Sequence, residues 1–119
     1  MSKRLLFIQH RPPYSDDRAA ELLDALLVAA AFGQQVAVLF QDDGVWQLLP
    51  GQQGKALERK TLLAQLQALG LYDVEQLYVD QQSLRERGLE GITLGLPAQA
   101  LAAHELAPLL AAHDLVLRF

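Results

Sequence analysis

Short, continuously apolar runs limit the fold of this chain more than any other feature. Residues 5–8, 36–40 and 115–117 each form such a run, without the polar alternation of a strand that has one face in water. Strands buried on both faces show this pattern, and they occur in parallel sheets whose connections are helices. The sequence therefore predicts a three-layer α/β/α fold around a mainly parallel, five-stranded sheet.

The remaining strands are placed by weaker signals. Gly95 and Pro97 blur the fourth strand, and residues 44–54 hold three glycines and a proline, which predicts a loop with at most a turn of helix. We expect strands near residues 4–9, 35–40, 74–79, 93–99 and 114–118.

Helical segments fill the intervals between these strands. Helices are predicted for residues 15–32, 56–69 and 103–112. Gly33 is expected just past the end of the first helix. Pro108 is an awkward residue inside the last one, because it lacks a backbone N–H. A capping box that starts at Ser83, followed by Gly88, predicts a further short helix.

The apolar content suggests that the chain has partners. Its 119 residues are enough for a single domain, residues 1–119, and 51% of them are apolar. The first helix has no polar side chain over residues 25–32, whereas a helix that packs only on its own sheet keeps a polar stripe. We therefore expect another subunit to cover this helix.

Charge and cysteine content exclude several classes of function. The net charge is −4 and the Lys and Arg residues are scattered, which argues against a nucleic-acid-binding surface. The chain has no cysteine, which excludes disulfides, cysteine-based metal sites and thiolate chemistry carried by this chain. Its apolar runs are too short for a signal peptide or for the ~18 residues of a membrane helix. The expectation is a cytoplasmic protein without a cofactor.

Acidic residues and a histidine follow the strands, where ligands of such folds bind. Asp42 and Asp43 have the residue types of an acid–base pair or a Mg²⁺ site, but Asp-Asp-Gly is also typical of a tight turn, which we favour. His10 is interpreted as a solvated loop residue. His104 and His113 are nine residues apart, which puts them on opposite sides of a helix. No carboxylate or third histidine falls at ligand spacing, so we expect no zinc site.

The candidate interaction residues lie in the loop after the second strand. Trp46, Leu48 and Leu49 need a dry environment, which either the chain's own core or a partner can supply. Both interpretations remain open here. Together with Phe32 at the end of the first helix, these three residues are the candidate interface residues.

Three stretches carry a family resemblance. The segments "DDGVWQLLPGQ", "ALGLYDVEQLYVDQQSLRERGL" and "HDLVLRF" resemble the TusC family, a branch of the DsrE/DsrF-like family of sulfur-relay subunits. The resemblance covers nearly the full chain. It implies a heterohexamer with TusB-like and TusD-like subunits, which passes persulfide sulfur toward 2-thiouridine at the tRNA wobble position.

The chain departs from this family at the residue that matters for chemistry. Sulfur-carrying relatives have a cysteine on the loop after the third or fourth strand, and the matching position here is Asp80. The resemblance therefore implies a non-catalytic subunit, with the active cysteine on the TusD-like partner. The alternative is a stand-alone small-molecule-binding protein or enzyme of the doubly wound type, with a site at His10, Asp42, Asp43 and Asp80.

Overall fold

The computed structural model describes residues 3–10, 18–48, 76–92 and 98–119. The 3-10 helix that follows the second strand is called the Trp46 segment below. The elements follow in the order β1 (Arg4–Gln9), α1 (Arg18–Ala31), β2 (Gln35–Phe40), the Trp46 segment (Asp42–Leu48), β3 (Gln76–Asp80), α2 (Gln81–Glu86), β4 (Gln99–Leu101), α3 (Ala103–Ala111) and β5 (Leu115–Arg118). The helix predicted for residues 56–69 lies outside the described residues.

The strands form one five-stranded sheet in the order β4-β3-β2-β1-β5. Each of the neighbouring pairs among the described strands is parallel. The predicted α/β fold with a parallel sheet is therefore confirmed. The order places β1, β2 and β3 in the interior of the sheet, so their carboxyl ends lie side by side.

Alternate residues of the central strands face opposite sides of the sheet, and both sides are buried. In β1, Phe7 belongs to a core that includes Leu26 of α1, while Leu6 and Ile8 belong to a second core against which Leu106 of α3 packs. Helices α1 and α3 thus cover opposite faces. This explains why the central strands are continuously apolar, since neither face meets water.

The fourth strand differs from its prediction. It was expected near residues 93–99, whereas β4 is Gln99–Leu101, and residues 93–97 lie outside the described part. β4 pairs with the end of β3, with Tyr78 opposite Gln99. Its sequence, Gln-Ala-Leu, has no β-branched or aromatic residue, so its position follows from pairing with β3 and not from a local apolar run.

Glycines end two helices in the same way. Gly33 has φ +81°, and the N–H of Gln34 donates to the carbonyl oxygen of Ala29 at 3.2 Å, which is the long hydrogen bond of a Schellman motif. Gly88, with φ +68°, follows α2 in the same conformation. Both predicted helix ends are therefore confirmed.

Two further predictions concern the residue that begins α2 and the proline in α3. The predicted capping box at Ser83 is wrong, because the N-cap of α2 is Asp80 and Ser83 lies inside the helix. Pro108 lies inside α3, as predicted, where the helix gives up one hydrogen bond. In the described part of the chain, no helix is long and apolar enough to cross a membrane.

Candidate functional site

The Trp46 segment lies against the carboxyl ends of β1 and β2. The N–H of Gln41 donates to the carbonyl oxygen of Gln9 at 3.0 Å, and the N–H of Gly44 donates to that of Gln41 at 2.9 Å. A Cβ atom at Gly44 would overlap the carbonyl group of Gln9. Only glycine therefore allows the segment to lie this close to β1.

Asp42 and Asp43 form the first turn of this segment. Asp42 has φ +52°, a left-handed conformation that aspartate tolerates better than most residues. The bond from Gly44 to Gln41 closes the turn, so the predicted tight turn is confirmed. Both aspartates are exposed. Among the described residues, no group of three or more His, Cys, Asp and Glu side chains has the geometry of a metal site.

The apolar residues of the Trp46 segment divide between the core and the surface. A 3-10 helix has three residues per turn, so Val45 and Leu48 point to the same side, and both are fully buried in the chain's own core. Leu48 has no surface to offer a partner, so its assignment as an interface residue is corrected. Trp46 is partly buried and packs against the same core. Leu49 lies outside the described residues.

The carboxyl-terminal part of α1 presents an exposed apolar surface. Phe32, which caps the helix, is 79% exposed, and Val28, one turn earlier, is 57% exposed. Residues four apart lie on the same side of a helix, so these two side chains are neighbours. Leu26 of the same helix is fully buried against the sheet. α1 therefore has an apolar side on its own core and an apolar outer surface at its end.

Asp80 is a buried carboxylate at the end of β3. It is 6% exposed, and the hydroxyl group of Ser83 donates to its Oδ2 at 2.6 Å. The same hydroxyl oxygen accepts the N–H of Asp42 at 2.8 Å. Within the described residues, Oδ1 of Asp80 is buried and has no hydrogen-bond partner. Ser83 thus links the β3–α2 junction to the first residue of the Trp46 segment.

A second contact joins α2 to the same segment. The guanidinium group of Arg87 donates through Nε to Oδ1 of Asp43 at 3.0 Å, and its Nη1 donates to the carbonyl oxygen of Ser83 at 3.1 Å. The Arg87 side chain is largely buried, whereas the Asp43 carboxylate is half exposed to water. Consecutive residues of the Trp46 segment are therefore bound at α2, one through the hydroxyl group of Ser83 and one through an ion pair with Arg87, the residue that follows the helix.

The histidines lie elsewhere. His10 follows β1, where its backbone N–H donates to the carbonyl oxygen of Phe119 at 3.2 Å. Because β2 lies between β1 and β3, His10 and Asp80 are on strands that are not neighbours. His104 is exposed in the first turn of α3, and Nδ1 of His113 is 2.8 Å from the carbonyl oxygen of Leu109.

Two residues of this site, Ser83 and Arg87, were missed by the sequence analysis. Ser83 was assigned to a helix N-cap, and Arg87 was given no role. The signal that could have found Ser83 is Asp80, three residues earlier at the end of a buried strand. An acid at an N-cap and a hydroxyl residue at the third helical position can bond to each other across the first turn.

Comparisons with known proteins agree with one another. A sequence model of the DsrE/DsrF-like family matches residues 3–119. The chain is 44% identical to the protein TusC homolog of Pseudomonas aeruginosa over 117 residues, which is 98% of both chains. It is 43% identical to protein TusC of Escherichia coli K12 over 118 residues, covering 98% of this chain and 99% of the relative. The crystal structure of the ychN protein from E. coli superposes over the whole of both chains with a TM-score of 0.81 at 20% identity, a likeness of fold.

Proposed function

Since this chain belongs to the DsrE/DsrF-like family, we propose that it is a non-catalytic subunit of a TusBCD-type sulfur-relay complex in the cytoplasm. In this proposal it assembles with TusB-like and TusD-like subunits into a heterohexamer. The complex passes persulfide sulfur toward 2-thiouridine at the wobble position of tRNA. The chain supplies contact surface to the assembly, and a partner supplies the thiol.

The observation that carries the proposal is that the chain offers no thiol, either at position 80 or elsewhere. The chain has no cysteine, so it offers no thiolate to a persulfide donor. At the position that the family resemblance matches to the relay cysteine, the chain has Asp80, which is buried and hydrogen-bonded to Ser83. A carboxylate that is enclosed and engaged in this way serves the structure of the site, and the sulfur must travel through another subunit.

The contact surface is assigned to the exposed apolar side chains on the α1 face of the sheet. Phe32 and Val28 form its most exposed part, and Trp46 contributes the accessible part of its indole ring. Aromatic side chains are enriched among the residues that contribute most to binding at interfaces. Burying a phenylalanine side chain contributes roughly 1.5–3 kcal/mol, so a few such residues can hold a lasting assembly.

The test of this function is the 2-thiouridine content of tRNA. In a strain that lacks the gene for this chain, the wobble 2-thiouridine should be lost and should return when the native chain is supplied. Phe32→Ala should restore less of it than Leu110→Ala, which removes an exposed leucine of α3 on the opposite face. A strain that keeps its full 2-thiouridine content without the chain would contradict the proposal.

The stand-alone ligand-binding alternative is less well supported by the geometry. It would use His10, Asp42, Asp43 and Asp80 as one site. Asp80 is enclosed and bonded to Ser83, and the carboxylate of Asp43 is paired with Arg87. Two of the four side chains are therefore already bound to other groups of this chain, which favours the assembly function over a ligand site.

A further inference from the structure

Helix α2 holds the Trp46 segment through a short chain of hydrogen bonds. Oδ2 of Asp80 accepts the Ser83 hydroxyl at 2.6 Å, and the Ser83 oxygen accepts the N–H of Asp42 at 2.8 Å. A serine hydroxyl has one donor and two acceptor sites, so it can make both bonds at once. The backbone N–H of Asp42 can only donate, so the Ser83 oxygen accepts that bond, and the Ser83 hydroxyl donates its own hydrogen to Oδ2 of Asp80.

The residue at the end of this chain of bonds has an unusual backbone. Asp42 has φ +52°, a left-handed conformation that residues other than glycine seldom adopt, although aspartate tolerates it better than most. Such a conformation persists where surrounding contacts determine it. The contacts are the bond to Ser83 on one side and the hydrogen bond of the next turn, from Gly44 to Gln41, on the other.

The burial of Asp80 indicates that this carboxylate has a specific role. Among the described residues, its Oδ1 is buried without a hydrogen-bond partner. An unpaired buried oxygen lowers stability, and an apolar side chain of similar size would avoid that loss. The Asp80 carboxylate is 6% exposed, and its other oxygen accepts the hydroxyl group of Ser83. The only described side-chain bond that Asp80 makes is therefore the one that leads to the Trp46 segment.

We propose that Asp80, acting through Ser83, positions the Trp46 segment for contact with the partner subunit. Asp80 and Ser83 are positioning residues in this proposal, and the Arg87–Asp43 ion pair adds a second, solvent-screened attachment. In this proposal, the position that the family resemblance matches to the relay cysteine sets the shape of an interaction surface in this chain. The inference rests on the proposed function for the identity of the partner, but its first test does not need a partner.

The first test uses Trp46, the single tryptophan of the chain. Acrylamide quenching of its fluorescence reports how well the segment shields the indole ring, and hydrogen exchange reports the bond at the Asp42 N–H. Ser83→Ala removes both hydrogen bonds and should speed exchange at Asp42 about tenfold, with a clear rise in quenching. Asp80→Asn keeps an oxygen that accepts the Ser83 hydroxyl, so it should stay within about threefold of the native rate. Gln82→Ala, an exposed neighbour on α2, is the control.

The second test measures binding to co-purified TusB-like and TusD-like subunits. Ser83→Ala should weaken binding about tenfold, Asp80→Asn about threefold or less, and Gln82→Ala should leave binding unchanged. In the native chain, binding of the partners should slow exchange at the Asp42 N–H, because coupling between two sites is reciprocal. This last measurement needs no variant, so it remains decisive if Ser83→Ala does not fold.

Several results would overturn the inference. Native exchange and quenching in Ser83→Ala would show that the hydroxyl group does not hold the segment. Ser83→Ala could loosen the segment and still bind the partners with native affinity, while Trp46→Ala weakens binding. This result would show that the position of the segment is not coupled to assembly. The proposed function would stand in that case. Failure of the native chain to bind the partners would overturn both the proposed function and this coupling, and the quenching results would then describe a structural bond only.

Discussion

Replacing Phe32 by alanine separates the proposed contact role of this residue from its role in folding. Phe32 is 79% exposed and lies at the end of α1, so its ring contributes little to the chain's own core. Phe32→Ala should therefore change the free energy of unfolding by less than about 0.5 kcal/mol. Urea denaturation followed by circular dichroism measures this quantity.

The expected effect on assembly follows from the exposed area. A phenylalanine side chain has roughly 150–250 Å² to bury. If the partner covers about half of the exposed part, roughly 80 Å² leaves water, which contributes about 2 kcal/mol at ~25 cal/mol per Å². Phe32→Ala should then raise the Kd for the TusB-like and TusD-like subunits about 30-fold. Isothermal titration or surface plasmon resonance can measure this change.

Leu110→Ala provides the matched comparison. Leu110 is an exposed apolar residue, 39% accessible, on α3 at the opposite face of the sheet. Its removal should change the Kd less than about threefold. A native Kd for Phe32→Ala would refute the assignment of the α1 surface as the contact. If Leu110→Ala weakened binding as strongly as Phe32→Ala, the contact would have to extend to the other face.

Three further substitutions test the site and the end of α1. Gly44→Ala places a methyl group on the Gln9 carbonyl, so it should lower the free energy of unfolding by at least about 2 kcal/mol in urea denaturation. An unchanged free energy of unfolding would mean that the Trp46 segment can move away from β1. Gly33→Ala forces alanine into φ +81° and should cost about 1 kcal/mol in the same assay, and a gain in stability would contradict the Schellman end of α1. Asp80→Ala should support sulfur transfer to tRNA at the native rate once partner concentrations are saturating. A lower rate at saturation would give Asp80 a part in the chemistry.

The fold could be predicted because strands that are buried on both faces are continuously apolar in the sequence. The central strands β1 and β2 bury every side chain from Leu6 to Ile8 and from Val36 to Phe40, so the apolar runs and the strands coincide. The edge strand β4 has no such apolar run. Its residues Gln99 and Ala100 are exposed, and only pairing with β3 defines it.

The candidate site was predicted less completely, because its residues act through the fold. Ser83 has the sequence pattern of an N-cap, but the end of β3 at Asp80 begins the helix earlier and turns the hydroxyl group back toward Asp42. Leu48 was a candidate contact residue because its segment was taken for a loop. Once the segment is a 3-10 helix, the three-residue spacing from Val45 places Leu48 in the core.

The central claim is that this chain assembles into the relay and carries none of the sulfur. Native and denaturing mass spectrometry of the chain, co-expressed with its TusB-like and TusD-like partners and treated with a persulfide donor, tests this most directly. The account predicts one heterohexamer that contains this chain, with the added sulfur atom on the TusD-like subunit and an unchanged mass for this chain. A chain that stays apart from both partners, or one that itself gains the mass of a sulfur atom, would contradict it.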